Sequence, residues 1–381
     1  MSSSATTPRV SIVGSGFGAL TSIRELRRLR SAAEITVIAP RAELHYLPGS
    51  IWIPSGLRRR EDLVVPLAAF FHRMRVRHVM TEAIALSVDG RRLTTGAGEI
   101  DNDALLIACG ARFIRKLPGL EHVITPCEGI AAAEQLRDRL QSMHEGVIAV
   151  GFGANPHEPS AVRGGPMFEF LFGIDQQLRN EGRRERFKLV FFSPAARPGA
   201  RLGERAVSAV LARMRRCGIE THLGHKLLRF EAHHVVTEHA AFGADLILFM
   251  PGLTGPAWLE RTPLPRSPGG MIQADGHCRV GGLERVYVVG DAGSFPGPDW
   301  MPKQAHMADL QALAAARNLT EEFAGRPARH GFKVEMMCII DDLVAGTLVL
   351  RNVKRTVVLP RSRLWHWAKR GFERKYLRQY R

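Results

Sequence analysis

The chain has 381 residues, of which 45% are hydrophobic and 37 are glycine, and it carries a formal net charge of +16. Those figures exclude a disordered chain or a small stapled domain, and they favour two domains or one large α/β assembly with many tight strand-to-helix turns. Five cysteines, odd in number and widely spaced without a CxxC pair, argue against a disulfide framework or a CxxC-type metal site and leave buried or redox thiols.

The opening MSSSATTPRV has no apolar run, so no secretory signal peptide is expected, and no stretch of about 18 apolar residues spans a bilayer. Residues 8–14 (PRVSIVG) read as a buried parallel strand. The turn Gly14-Ser15-Gly16-Phe17-Gly18-Ala19 follows and opens a helix (TSIRELRRLR), where glycines let backbone amides approach a pyrophosphate at a helix N-terminus. A purely structural glycine turn is the alternative. The next strand, 34–39, ends at Ala39-Pro40, where a ribose-binding acid is usual; Glu43 is the nearest carboxylate.

A strand from residue 104 (ALLIACGA) closes on Ala108 and Gly110. A helix (AAAEQLRDRLQS) leads to GVIAVGFG, a second βα unit extended by strands at 188–193 and 244–252. Its glycine turn reads GFGANPHEP, and Pro156 spoils the position where a nicotinamide-binding turn would enter a helix. The run RVYVVGDAG (285–293) then sets Gly290 and Asp291 after a strand, beside a helix predicted at 304–318; a simple helix cap is the other reading of Asp291.

The last region, 325–381, starts with strand-like FKVEMMCII and ends in a basic aromatic helix. From Arg351 to Arg381 there are eleven Lys or Arg against one acid, Glu373. Leu364, Trp365, Ala368, Phe372, Tyr376 and Tyr380 recur at three-to-four spacing with bases largely elsewhere, the pattern of an interfacial helix on an anionic membrane surface. Packing against its own domain is the alternative. Nucleic acid is not expected, because no binding motif accompanies the charge.

The three segments around Gly14, Ala108 and Asp291 resemble the two-dinucleotide-domain flavoproteins. That resemblance implies an α/β fold of two nested Rossmann-like domains plus a C-terminal membrane-associating region, with FAD bound by Gly14, Gly16, Phe17, Gly18, Ala19, Ala108, Gly110, Gly290, Asp291 and Lys303. The expected divisions are 1–112 and 256–324 for the FAD domain, 113–255 for the inserted domain and 325–381 for the tail. Further stretches, LPGSIWIPSGLRRREDLVVPL, GGPMFEF, MPKQAHMA, Cys338 and the tail itself, resemble sulfide:quinone oxidoreductases over essentially the whole chain.

This second resemblance implies two-electron transfer from sulfide through cysteine thiols and flavin to a quinone, by a peripheral protein of the cytoplasmic membrane. Cys127 and Cys338 match the family's first and last cysteines, whereas Arg163 stands at the middle one and Ala131 and Ala200 stand near its histidines. Glu169 and Lys303 are candidates for a proton donor or a flavin-polarising charge. Each cysteine is also readable as a small buried hydrophobe, and for Cys109, Cys217 and Cys278 that is the expected reading. A type II NADH:quinone dehydrogenase, a divergent flavoprotein without sulfide activity, and a homo-oligomer are left open.

Overall fold

The structure is a computed structural model that describes residues 7–381. Strand β1 (Arg9–Val13) is buried from Val10 onward and runs through Gly14 into helix α1 (Phe17–Arg28). There follow β2 (Glu34–Ala39), β3 (Val76–Met80) and β4 (Ala104–Ile107). The middle of the chain forms α2 (Ile130–Ser142), β5 (Gly146–Phe152), α3 (Gly165–Asn180), β6 (Phe187–Ser193), α4 (Glu204–Arg216), β7 (Glu220–Leu223) and β8 (Leu246–Met250). Strand β9 (Val286–Val288) and helix α5 (Ala305–Phe323) come next. The chain ends in β10 (Glu335–Asp341), β11 (Gly346–Asn352), β12 (Thr356–Ser362) and helix α6 (Arg363–Leu377).

Two all-parallel sheets organise these elements, in the orders β9-β4-β1-β2-β3 and β7-β6-β5-β8. Strands covered on both faces must be apolar on both faces, which is why β4 (ALLI) and β8 (LILFM) are buried at every position. Because β9 pairs with β4, the chain returns to the first sheet only after completing the second. A short antiparallel pair, Arg112 with Thr254 and Phe113 with Leu253, joins the outgoing and returning segments at the crossing. This is the nested Rossmann-like arrangement expected of the sequence.

The third region is an antiparallel sheet, β10-β11-β12, in which Cys338 lies opposite Val349. Ser362 caps α6 by accepting a hydrogen bond from the Leu364 amide. Among the described residues, no helix is long and apolar enough to cross a membrane.

Helix α6 departs from the expected single apolar stripe. Tyr376, Leu377 and the following Tyr380 are buried in the first domain's core, where Tyr376 meets Phe17 and Tyr46 and Tyr380 meets Phe70. Of the expected stripe, Leu364 at 62% and Phe372 at 47% are exposed, with Ala368, and they are joined by Trp367 at 58%, which lies outside it. The helix therefore divides its apolar residues between its own domain and solvent. Lys369 also leaves the expected basic face and turns inward.

Candidate functional site

The Gly14 turn is built for close backbone approach. Gly14 has φ +109°, and a Cβ there would lie 2.5 Å from the Ala108 carbonyl oxygen, so only glycine lets β1 and β4 run into the turn side by side. A Cβ on Gly18 would lie 2.7 Å from a Val289 methyl, which packs α1 against the end of β9. Gly16, the residue before α1, faces open space. A methyl there would meet no protein atom, which is the cradle a pyrophosphate needs at a helix N-terminus. Phe17 and Ala19 begin α1, with Ala19 buried and Phe17 against the Tyr46 and Tyr376 rings. Ala39-Pro40 ends β2 without an acid; Glu43 lies on the next short strand beside His45, and Ser15 donates to the backbone carbonyls of Arg41 and Glu43.

The late turn faces the same region. A cleft is lined by Gly290, Asp291, Phe295, Lys303 and Gln304, at the N-terminus of α5. Gly290 has φ +72° and donates its amide to Gln311 at 2.7 Å. Asp291 pairs with Arg163. Lys303 is buried, donates to the Gly293 carbonyl and sits 5.7 Å from the Phe295 ring centre; burial lowers it to about 8. Because β4, β1 and β9 are neighbours, Gly14, Ala108 and Gly290 follow adjacent strands at one edge of one sheet. Such an edge is where an α/β sheet binds a dinucleotide. The open space at Gly16 and the donors around it fit one.

The glycine turn after β5 is built differently. Twelve residues separate Phe152 from Gly165, where α3 begins. Asn155 is buried and donates to the carbonyls of Leu253 and Gly269, both at 2.9 Å, and Glu158 accepts from Ser160, Ser267 and Ser294. The segment is fastened down as a loop, so no helix N-terminus follows the glycines directly.

Glu169, from α3, is buried beneath β10 and α6. It accepts from the Asp341 amide at 2.9 Å and from the Lys369 ammonium. Burial pushes its carboxyl up to about 7, with Lys369 pulling the other way; Lys369 itself is held above its ordinary value by Glu169 and Asp341 in spite of burial. Asp341 in turn accepts from the Trp52 indole and the His366 ring, each at 2.9 Å.

Cys127 is buried and Cys338 half-buried against one apolar cluster. The Glu169–Lys369 pair acts electrostatically on both thiols, and burial pushes each up to about 12. A Cβ on Gly165, in the first turn of α3, would lie 3.9 Å from Cys338 Sγ. Cys278 is buried, as expected, whereas Cys217 is only half-buried. Cys109 departs from expectation: it is exposed, because β4 ends at Ile107 and the chain reverses at Gly110, φ +74°. No group of three or more potential ligands to hold a metal occurs among the described residues.

Lys369, Asp341, His366 and Trp52 are site neighbours that sequence reasoning missed. Lys369 is one of eleven bases in the tail. Only the buried Glu169, which requires a counter-charge, distinguishes it, and that burial is a tertiary fact.

Comparison with known proteins agrees with this fold. The curated sulfide-quinone reductase of Aquifex aeolicus is 23% identical over 97% of this chain and 90% of its own. The crystal structure of the sulfide:quinone oxidoreductase from that bacterium superposes with a TM-score of 0.90 at 21% identity, covering 98% of this chain and 92% of that one. The type II NADH:quinone oxidoreductase of Staphylococcus aureus is 22% identical over 83% of this chain and 84% of its own. The family model described as pyridine nucleotide-disulphide oxidoreductase matches residues 8–312, well over half of the chain. The chain thus belongs to the pyridine nucleotide-disulphide oxidoreductase family, as an enzyme whose cofactor is FAD.

Proposed function

We propose that this enzyme passes two electrons from a small sulfur reductant, most simply sulfide, through its thiols and FAD to a membrane quinone. The observation that carries the reading is that Cys127 and Cys338, 211 positions apart, pack into one apolar cluster, on the same α3 and β10 layer that holds the buried Glu169–Lys369 pair. Bound FAD supplies the two-electron chemistry. In this reading Gly14, Gly16, Phe17, Gly18, Ala19, Ala108, Gly110, Gly290 and Asp291 hold it, and Lys303 places a positive charge beside it.

The chain's own residues handle the proton and the sulfur. A thiol held near 12 is protonated at neutral pH, and the thiolate is the nucleophile, so its proton must move as it reacts. Glu169, poised at about 7 beneath the strand that carries Cys338, is the buried acceptor in this reading, and Lys369 stabilises it once ionised. Cys338 is assigned contact with the substrate and flavin, and Cys127 the storage of sulfur. Leu364, Trp367 and Phe372, with the bases around them, would rest on an anionic membrane and border the quinone's route.

The related type II NADH:quinone oxidoreductase of S. aureus supports a second reading, NADH as the electron donor. The loop at 153–164, fastened by Asn155 and Glu158, favours the sulfur donor instead, because it sets no helix N-terminus at the glycines. Anaerobic stopped-flow mixing separates the two: the flavin is expected to bleach with sulfide and not with NADH, and the reverse outcome would replace the sulfur donor.

A further inference from the structure

One residue, Asp341, holds two protonatable side chains from different elements. Its backbone amide donates to Glu169 of α3, and its carboxylate accepts from the His366 ring of α6, each at 2.9 Å. Glu169, Asp341 and His366 are all buried. Lys369, one turn beyond His366 on α6, faces the same way and pairs with Glu169.

Asp341 is the fixed charge of this group. Burial would raise its carboxyl, yet the His366 hydrogen bond, the Lys369 charge and the Trp52 hydrogen bond hold it below its ordinary value. An ionised carboxylate only accepts, so His366 donates through Nδ1. That tautomer leaves a lone pair on Nε2, which makes no hydrogen bond among the described residues. The ring packs edge-to-face with Trp52 at 6.0 Å and with the exposed Trp367 at 5.7 Å, which places the imidazole one side chain from solvent.

Buried charge couples the two protonatable groups. With Glu169 protonated, Lys369 and Asp341 cancel, and a neutral His366 leaves the layer at zero. With Glu169 ionised, zero is kept only if His366 carries a proton. The other charges beside the ring already cancel, because Arg58, over the Trp52 face, is paired with Glu373 of α6 at 2.6 Å. Cys338, on β10, is neutral until its thiol reacts. An uncompensated buried charge is costly, so the charge on one group favours the opposite charge on the other.

We infer that His366 is the charge-compensating partner of Glu169, a positioning residue whose ring takes up a proton as that carboxyl gives one up. Nε2 gains the proton that Glu169 loses, and no electron moves. The carboxylate that receives the thiol proton therefore forms without leaving the layer negative. Once that proton has reached Glu169, the same imidazolium offsets the new thiolate. This inference rests on the reading of Glu169 above as the acceptor of the thiol proton.

Two measurements on the FAD-loaded enzyme test it. Histidine-selective nitrogen NMR, with the His366 signal identified by its contacts to the Trp52 and Trp367 rings, reads the ratio of imidazolium to imidazole. At a fixed pH where Glu169 is ionised, that ratio is expected to fall about tenfold in Glu169→Gln, which cannot form the carboxylate that favours the cation. Equal ratios in wild type and variant overturn the inference. The second measurement follows flavin bleaching by sulfide across pH in His366→Gln. Loss of the compensating cation should move the rising limb near 7 to higher pH by about one unit. A slower rate with the limb in place is what a merely structural ring would give, and it also overturns the inference. A changed ratio with a flavin that sulfide never bleaches keeps the compensation and removes the sulfur-donor reading, whereas bleaching with both measurements unmoved removes the compensation alone.

Discussion

Chemistry at the single residue is set here by burial more than by residue type. Glu169 would ionise well below neutrality in water, but beneath β10 and α6 it sits at about 7 because desolvation outweighs the pull of Lys369. A carboxyl that must be ionised to take a thiol proton makes sulfide-driven flavin reduction rise with pH through about 7. Glu169→Gln should remove that limb. Lys369→Met removes a cation that favours the carboxylate, so the limb should move to higher pH; rapid-mixing profiles from pH 5.5 to 9 would read both, and a limb unmoved in either variant would exclude Glu169 as the acceptor. The same raised value lowers stability as pH climbs, because the folded state prefers the protonated carboxyl that the unfolded chain gives up near 4.5. The thiols give a simpler contrast: Cys338→Ala should abolish flavin bleaching by sulfide, whereas Cys217→Ala, at the end of α4, should leave it intact. Equal bleaching rates in the two variants would remove Cys338 from the reaction.

Elements that are buried on both faces were legible in the sequence, and elements whose role depends on a distant neighbour were not. Strands β1, β4, β8 and β9 announce themselves as short apolar runs leading to glycine, and the turns at Gly14 and Gly290 fall where β1 and β9 stop. Helix α6 shows the limit. Its periodicity marks an apolar stripe but says nothing of what meets it, and the Tyr376–Tyr380 end goes to Phe17, Tyr46 and Phe70 on elements more than 300 positions away. Lys369 was hidden for the same reason, being one base among many until Glu169 is seen beneath it. Two outcomes follow for α6. Tyr380→Ala should cost about 3–5 kcal/mol and lower the melting temperature, since the ring is fully buried. The triple change of Leu364, Trp367 and Phe372 to Ser should leave melting almost unchanged and release the protein from anionic liposomes. Liposome sedimentation equal to that of the wild type would show that this face is not the membrane contact.

At the scale of the whole molecule, the fold brings to one sheet edge two turns that lie about 275 positions apart in the chain, and it stacks the third region over the inserted domain so that β10, α3 and α6 enclose one buried pair. The glycine turns and the two cysteines thereby lie on different layers, which makes their proposed roles separable by mutation. Gly16→Ala adds a methyl that meets no protein atom, so the fold should persist while FAD affinity falls at least tenfold. Gly14→Ala, facing the Ala108 carbonyl at φ +109°, should instead destabilise the protein itself. A yellow Gly16→Ala protein with wild-type FAD affinity would mean that the cofactor does not approach this turn. The claim on which the rest depends is that a sulfur donor reduces the flavin and a quinone takes the electrons away. It is tested most directly by anaerobic titration of the FAD-loaded enzyme with sulfide, followed by a soluble quinone. Full bleaching near one equivalent of reductant is expected, with recovery of the oxidised spectrum on adding quinone; a flavin that stays oxidised with sulfide but bleaches with NADH would overturn the sulfur-donor chemistry.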